Sequence, residues 1–139
     1  MPEVDFMVVC DYVRADAGGM HMIAAGVDRI QPSSVPYVQN LGVATRLALT
    51  RAECDVPHHI RLIFQDQDGK RILDVTATIA PKYPDDLPVG WRVKAGVALN
   101  VGVPLPDYGL YAFELLVDGQ SRKSIEMVVA PPPPPDPQA

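Results

Sequence analysis

The sequence predicts an all-β fold, an antiparallel β-sandwich of about eight strands. Apolar and polar residues alternate with a period of two along most of the chain, as they do in strands that bury one face. Short turns rich in Asp and Gly separate the alternating stretches, which is typical of hairpins. No stretch keeps a helical period over three turns, so the pattern favours a fold built from sheets alone.

The first four predicted strands lie at about 3–14, 20–30, 40–50 and 58–66. The first is the apolar run near the start of the chain, and the turn DAGG leads from it into the second. The third alternates from Leu41 to Leu49, and the fourth alternates from Ile60 to Phe64. Loops with prolines flank them, and proline lacks the N–H donor that a central strand needs.

The last four predicted strands lie at about 71–80, 91–102, 109–117 and 121–129. The turn DQDG introduces the fifth strand, which alternates from Leu73 to Ile79. The sixth has the longest alternation, from Trp91 to Val101, and the turn VDGQ joins the seventh strand to the eighth. Asp and Gly tolerate the positive φ that such tight turns require.

One domain is expected over residues 1–130, followed by a disordered tail at 131–139. The chain has 139 residues, of which 47% are hydrophobic and 21% charged, and this is sufficient for one buried core. Successive prolines in the tail offer no N–H groups and favour an extended polyproline helix. We expect a solvated terminus, with a ligand for a proline-binding groove as the alternative.

Composition also excludes several classes of function. A net charge of −5 argues against nucleic-acid binding, which depends on clustered Lys and Arg. Cys10 and Cys54 lack metal-ligand spacing, which favours a reducing compartment. The acidic N-terminus is unlike a signal peptide, and no apolar run is long enough for a membrane span. The expectation is a cytoplasmic protein without a cofactor.

Asp107, Gly109 and Tyr111 introduce the seventh strand. This Asp-x-Gly-x-Tyr pattern resembles the tyrosine corner of immunoglobulin-like sandwiches. The resemblance implies an immunoglobulin-like fold in which the tyrosine hydroxyl hydrogen-bonds to backbone a few residues upstream. Position 113, where an antibody domain has its second cysteine, is Phe. The resemblance therefore implies a sandwich without the inter-sheet disulfide, with aromatic packing in its place.

Three further stretches carry a closer likeness: VDFMVVCDYV near the start, GVDRI at the end of the second strand, and YGLYAFELLVDG near the end. Together they are similar to a family of small bacterial proteins known only as a domain of unknown function. That family implies no activity for this chain.

Acidic residues recur in the loops that are predicted to meet at one end of the sandwich. They are Asp16, Glu53, Asp55, Asp85, Asp86 and Asp118, with His58 beside them. Carboxylate oxygens are the ligands that Ca²⁺ takes, so a calcium-dependent ligand-binding or hydrolytic domain is one hypothesis. Acidic residues also stabilise turns, and the spacing is not that of an EF-hand, so the structural interpretation is favoured.

Basic residues lie on the polar phase of three predicted strands. They are Arg46, Arg61, Arg92 and Lys94. Side by side they would form a basic face that docks an acidic partner. The alternative, which we favour, is a solvated sheet surface whose charges deter aggregation.

No predicted catalytic residue emerges from the sequence. The leading prediction is a non-catalytic binding or scaffolding module that contacts a protein partner through a strand edge or a loop end. Self-association is a further alternative, and the calcium-dependent domain is the prediction from a different class.

Overall fold

Ten strands run through the part of the chain that the computed structural model describes, residues 1–16 and 19–135. They are β1 (Glu3–Cys10), β2 (Tyr12–Asp16), β3 (Gly19–Ile23), β4 (Arg29–Ile30), β5 (Tyr37–Leu49), β6 (His58–Asp66), β7 (Arg71–Ile79), β8 (Val93–Leu105), β9 (Gly109–Val117) and β10 (Gln120–Val129). A short 3₁₀ helix spans Arg51–Glu53. Over the same residues, no helix has the length and apolarity to cross a membrane.

The strands form two main sheets and one separate hairpin. The first sheet has the order β1-β5-β8, the second has the order β4-β10-β9-β6-β7, and β2 pairs with β3. Neighbouring strands are antiparallel except β4 and β10, which run parallel over two residue pairs. Side chains from both main sheets form one buried cluster between them. The prediction of an all-β sandwich is confirmed.

The core forms where the apolar phases of the two sheets meet. Its largest fully buried side chains include Leu41, Leu47, Leu49, Ile60, Leu62, Phe64, Leu105, Phe113 and Leu115. The ring of Phe64 stacks on Tyr111 with centroids 5.2 Å apart and tilts against Phe113 at 4.7 Å. Offset and tilted aromatic pairs add to the stabilisation from burial. Position 113 is therefore an aromatic contact at the centre of the sandwich.

The first two predicted strands, 3–14 and 20–30, are each divided in the structure. β1 ends at Cys10, and β2 leaves the sheet to pair with β3. Two residues of the following loop, Ala24 and Gly26, have positive φ, and the Gly26 and Val27 N–H groups both donate to the Val9 carbonyl. This tight reversal separates β3 from β4. The predicted turn 16–19 contains residues 17 and 18, which lie outside the described residues.

The β2–β3 hairpin lies on the outer face of the three-stranded sheet, where the alternation predicts a solvated surface. Val13 is buried there with Cys10 and Ala44. The Val13 N–H donates to Asn100 Oδ1 at 3.0 Å, and Asn100 Nδ2 donates to the Val13 carbonyl at 2.7 Å. A Cβ on Gly42 would lie 2.9 Å from the Val13 nitrogen, so only glycine lets the hairpin approach this closely.

The sixth predicted strand is displaced along the chain. β8 begins at Val93 and continues to Leu105, and Trp91 lies before it with 56% of its surface exposed. Pro104 lies on the edge strand β8, the kind of strand in which sheets tolerate proline. Residues 131–135 have no regular secondary structure and are exposed, and the remaining predicted tail residues, 136–139, lie outside the described part of the chain.

Candidate functional site

One side of the sandwich is bordered by two edge strands, β7 and β8. The inward-pointing residues of β7 are only half-buried, and so are several of β8. They are Leu73, Val75, Ala77 and Ile79 on β7, and Val93, Ala95, Leu99 and Val101 on β8. Sandwich sheets cross at about 30°, so their facing surfaces diverge at some corners. The β7/β8 side is therefore the side on which the core is least covered.

A groove of about 530 Å³ lies at one corner of this side, and we call it the corner groove. It lies where β5 and β7 begin and β8 ends. Its apolar wall includes Tyr37, Val38, Ile72 and Leu105, and its basic rim is formed by Lys70 and Arg71. Val38 has 61% of its surface exposed.

A β-bulge places Ile72 in the groove. The register of β6 with β7 passes from Phe64 opposite Leu73 to Gln65 opposite Arg71, so Ile72 is an extra residue without a partner. A bulge of this kind redirects a side chain and increases the local twist. As a result, the consecutive residues Ile72 and Leu73 both pack against the core.

The turn before β7 positions the basic rim. Asp66 Oδ1 accepts hydrogen bonds from the N–H groups of Asp68 and Lys70, both at 2.9 Å, and Gly69 adopts a φ of 81°. These bonds hold the predicted DQDG turn in place and direct the chain into β7. No ion pair is present for Lys70 or Arg71 among the described residues, so their charges are available to a ligand.

The residues of the predicted corner lie beside the groove. The Tyr111 hydroxyl donates to the Asp107 carbonyl at 2.6 Å and accepts from the Asp107 N–H at 3.3 Å. Burial raises the pKa of Tyr111, and this outweighs the hydrogen bond to Asp107, so the hydroxyl keeps its proton and donates. Gly109, the first residue of β9, has a φ of 148°. Pro106, which precedes Asp107, lines the corner groove.

The opposite end of the sandwich contains a clasp formed by His58 and Asp118. His58 Nδ1 donates to Asp118 Oδ2 at 2.7 Å, and its Nε2 contacts the Glu53 carbonyl. A carboxylate and a carbonyl only accept, so both ring nitrogens carry a proton and His58 is a cation in this geometry. Asp118 Oδ1 also accepts from the His59 N–H at 2.8 Å. With both nitrogens occupied, His58 has none left for a substrate.

The other acidic candidates have separate positions. Glu53 Oε1 accepts from the N–H and hydroxyl of Thr50, at 2.8 and 3.0 Å, in a capping box. Asp55 has positive φ and donates its N–H to the Pro81 carbonyl, while Asp85 and Asp86 are exposed in the following loop. Asp16 lies on the hairpin, where it contacts Arg14 and His21. Within residues 1–16 and 19–135, no three His, Cys, Asp or Glu side chains are grouped as metal ligands.

The four basic candidates do not lie on one face. Arg46 and Lys94 both contact Asp5, at 2.6 and 3.7 Å, and Arg92 pairs with Glu3. Arg61 lies on the other main sheet, where it pairs with Asp74. The hydrogen bond from Arg46 lowers the pKa of the Asp5 carboxyl, and the bond from Arg61 does the same for Asp74. Each predicted partner residue is thus accompanied by a carboxylate.

The alternation of apolar and polar residues does not single out the corner groove, although two other signals in the sequence point to it. Consecutive apolar residues, Ile72 and Leu73, interrupt the alternation at the start of β7, which is typical of a bulge. Three prolines, at 36, 104 and 106, stand near strand ends that the fold brings together. Only the pairing of β5 with β8 shows that they share a site.

Comparisons with known proteins add a family and no activity. A family model described as a family of unknown function, DUF6941, matches residues 5–130. No curated protein matches the sequence. Among solved structures, a chain assigned as a β-galactosidase from Bacteroides fragilis is similar over 88% of this chain and 16% of its own length, with 8% identity and a TM-score of 0.45. A likeness this weak carries no argument about function.

Proposed function

We propose that this chain, which belongs to the family of unknown function DUF6941, is a non-catalytic β-sandwich module that binds a protein partner at its β7/β8 side. The corner groove is the observation that carries the proposal. Its volume of about 530 Å³ and its mostly apolar wall are those of a binding site. A partner would cover inner-face side chains of β7 and β8 that the fold leaves half-exposed.

The chemistry of the groove favours binding over catalysis. Lys70 and Arg71 are the charged side chains among its described lining residues. Both lie at the rim, where they are exposed and would attract an anionic group. The buried histidine of the molecule lies at the other end, with both ring nitrogens occupied by the clasp. The groove therefore offers shape and charge for recognition.

The proposed module is related to immunoglobulin-like sandwiches. The hydrogen bonds between Tyr111 and the Asp107 backbone support this relationship, because they join a tyrosine hydroxyl to backbone four residues upstream. The stack of Phe64 on Tyr111 and its contact with Phe113 support aromatic packing in place of a disulfide. The proposed relationship is one of fold, and it applies to the sandwich on which the corner groove lies.

We further propose a reducing compartment, the cytoplasm, as the setting. Cys10 and Cys54 are both free and buried in separate clusters. Burial raises the pKa of each thiol, so both stay protonated and unreactive at neutral pH. Such thiols are compatible with a compartment that keeps cysteine reduced.

Site-specific photocrosslinking in cells that produce the protein tests the binding proposal. A benzophenone amino acid replaces Val38 in the groove wall, and the matched control replaces Leu110 on the outer face of the five-stranded sheet. The two positions have similar exposure, 61% and 55%. We expect one defined crosslinked protein from position 38, identified by mass spectrometry, and none from position 110. Equal crosslinking from both positions, or none from either, would contradict the proposal.

A further inference from the structure

The free edges of the two main sheets differ in how well they accept another strand. β4 has only two residues, and β1 has an irregular register between Val4 and Phe6. β8 contains Pro104 near its end and Lys94 near its start. Short length, bulges, proline and lysine side chains are devices that protect sheet edges. β7 from Leu73 onward has none of them.

The composition of β7 also suits strand pairing. Its sequence RILDVTATI is rich in β-branched residues, and its regular part runs from Leu73 to Ile79 without glycine or proline. Asp74 is its one charged residue after the bulge, and Arg61 of the neighbouring strand pairs with it. A long, regular edge of this kind is a template for another chain.

Backbone geometry identifies the groups that face outward from β7. The Asp118 N–H donates to the His59 carbonyl, so the backbone groups of His59 point toward β9. Backbone groups alternate sides along a strand, and those of Ile60, Leu62 and Phe64 therefore point toward β7. Their partners on β7 are Ala77, Val75 and Leu73. The remaining N–H and C=O groups, those of Asp74, Thr76 and Thr78, face the open edge.

The corner groove lies at the start of this open edge and determines the chemistry of an occupant. Tyr37, Ile72 and Leu105 offer an apolar surface, and Lys70 and Arg71 place two cations at the rim that form no ion pair with the residues the structure describes. No carboxylate lines the groove among the described residues. Although the whole chain carries a net charge of −5, the two cations make the rim locally positive, and this local charge favours an acidic group.

We infer that the partner contributes an extended strand that adds to the free edge of β7. The strand pairs with the backbone of Asp74, Thr76 and Thr78, inserts an apolar side chain into the corner groove, and places an acidic side chain next to Lys70 and Arg71. Backbone pairing supplies affinity in this mode of recognition, and the pocket and charge supply specificity. The inference rests on the proposed function and names the kind of partner for the same site.

Selection of linear peptides on the full chain tests the inference. The probe is a phage-displayed library of random linear peptides about 12 residues long, enough to span an edge strand of ordinary length. We expect enriched peptides to alternate apolar and polar residues and to contain Asp or Glu. An enriched peptide, labelled with a fluorophore, then reports affinity by fluorescence anisotropy. Failure to enrich any peptide, or enrichment without this pattern, would overturn the inference.

A pair of substitutions at one position isolates the backbone contact. Thr76→Pro removes an outward-facing N–H without removing a bond to β6, whereas Thr76→Val keeps that N–H and changes only the side chain. Loss of a hydrogen bond and interference from the proline ring weaken peptide binding by about tenfold or more. The Val variant stays within about threefold, and Arg71→Glu weakens binding by about tenfold through the reversed charge. Equal affinity in all variants would contradict strand addition.

Hydrogen exchange on the unaltered chain keeps the test independent of how the variants fold. In the free protein the amides of Asp74, Thr76 and Thr78 face solvent, while those of Val75 and Ala77 bond to β6. Peptide binding should slow hydrogen exchange at the amides of Asp74, Thr76 and Thr78 and leave exchange at Val75 and Ala77 unchanged. No added protection at the edge would reject the inference. A crosslinked partner that still binds Thr76→Pro would also reject it, while leaving the proposed binding function intact.

Discussion

At the scale of single residues, the hydroxyl of Tyr111 has the most direct structural role. Its ring lies in the core on Phe64, and its hydroxyl returns to the Asp107 backbone at the point where the chain enters β9. The Tyr111 side chain therefore joins the aromatic core to the segment between β8 and β9, which carries the chain from one sheet to the other. The adjacent Pro106 lines the corner groove, so this connection also shapes the candidate site.

Tyr111→Phe removes both hydrogen bonds to Asp107 and keeps the stacked ring. We expect the free energy of unfolding to fall by about 1 kcal/mol, the usual net value of such a bond. Tyr108→Phe is the matched control, because the Tyr108 hydroxyl donates to the Pro32 carbonyl at the longer distance of 3.3 Å. Urea unfolding followed by tryptophan fluorescence measures both variants. Equal losses in the two variants would show that the Tyr111 bonds have no special role.

At the scale of elements, the β2–β3 hairpin is an addition to the sandwich. It converts the outer face of β5 and β8 into a second buried surface around Cys10, Val13 and Ala44. Two glycines make room for it, since a Cβ on Gly42 would approach Val13 and a Cβ on Gly96 would lie 3.2 Å from the Met20 sulfur. The hairpin is thus held by close backbone approach as well as by the Asn100 hydrogen bonds.

Gly42→Ala should displace the hairpin, because the new Cβ would lie 2.9 Å from a backbone nitrogen that cannot rotate away. We expect a loss of about 1–3 kcal/mol in the free energy of unfolding, as for other overpacked sites. Gly102→Ala is the control on the same sheet face, where the nearest atom is Val38 Cγ1 at 3.4 Å. The free energy of unfolding of Gly102→Ala should be unchanged or slightly higher than that of the parent protein. A neutral Gly42→Ala would mean that the hairpin is not closely seated.

The elements also show which parts of the fold the sequence predicts. The inner faces of β5, β6 and β9 follow from alternation alone, because a strand with one buried face must place apolar residues at every second position. The position of the hairpin cannot be predicted from alternation. Asn100 and Gly96 indicate a solvated face of β8, but in the structure Val13 and Met20 of the hairpin cover them. Contacts between segments about 80 residues apart in sequence leave no local pattern.

At the scale of the whole molecule, the two ends of the sandwich differ in character. One end has the corner groove and its basic rim, and the other has a clasp that joins the loop after β5 to the β9–β10 turn. The predicted loop order assigns Glu53, His58 and Asp118 to one end, together with the other acidic candidates. That each of the three is satisfied by a neighbour does not follow from the loop order, because turn spacing does not specify which donor meets which carboxylate.

The clasp makes the stability of the molecule depend on pH. Burial alone would lower the pKa of His58, but the hydrogen bonds and charges of Asp118 and Glu53 outweigh it and raise the pKa above 6.5. The folded state therefore holds this proton more tightly than the unfolded state does. The stabilisation is fully present below pH 6.5 and is lost as the pH rises through the raised pKa. At Asp118, burial alone would raise the pKa of the carboxyl, but the hydrogen bonds from His58 and His59 outweigh it and lower the pKa below 3.8.

We therefore expect the free energy of unfolding to fall between pH 6.5, the unperturbed value for histidine, and about pH 8.5. Urea unfolding across this range measures the fall, and the upper limit stays below 9.0, the ordinary pKa at which the thiols of Cys10 and Cys54 ionise in the unfolded chain. His58→Gln cannot gain the proton, so its stability should be lower at pH 6 and nearly constant up to pH 8.5. His59→Gln, an exposed neighbour, should keep the profile of the parent protein. A parent profile that is flat, or that rises with pH, would mean that His58 is neutral and that the clasp holds the loop and the turn with one hydrogen bond rather than two.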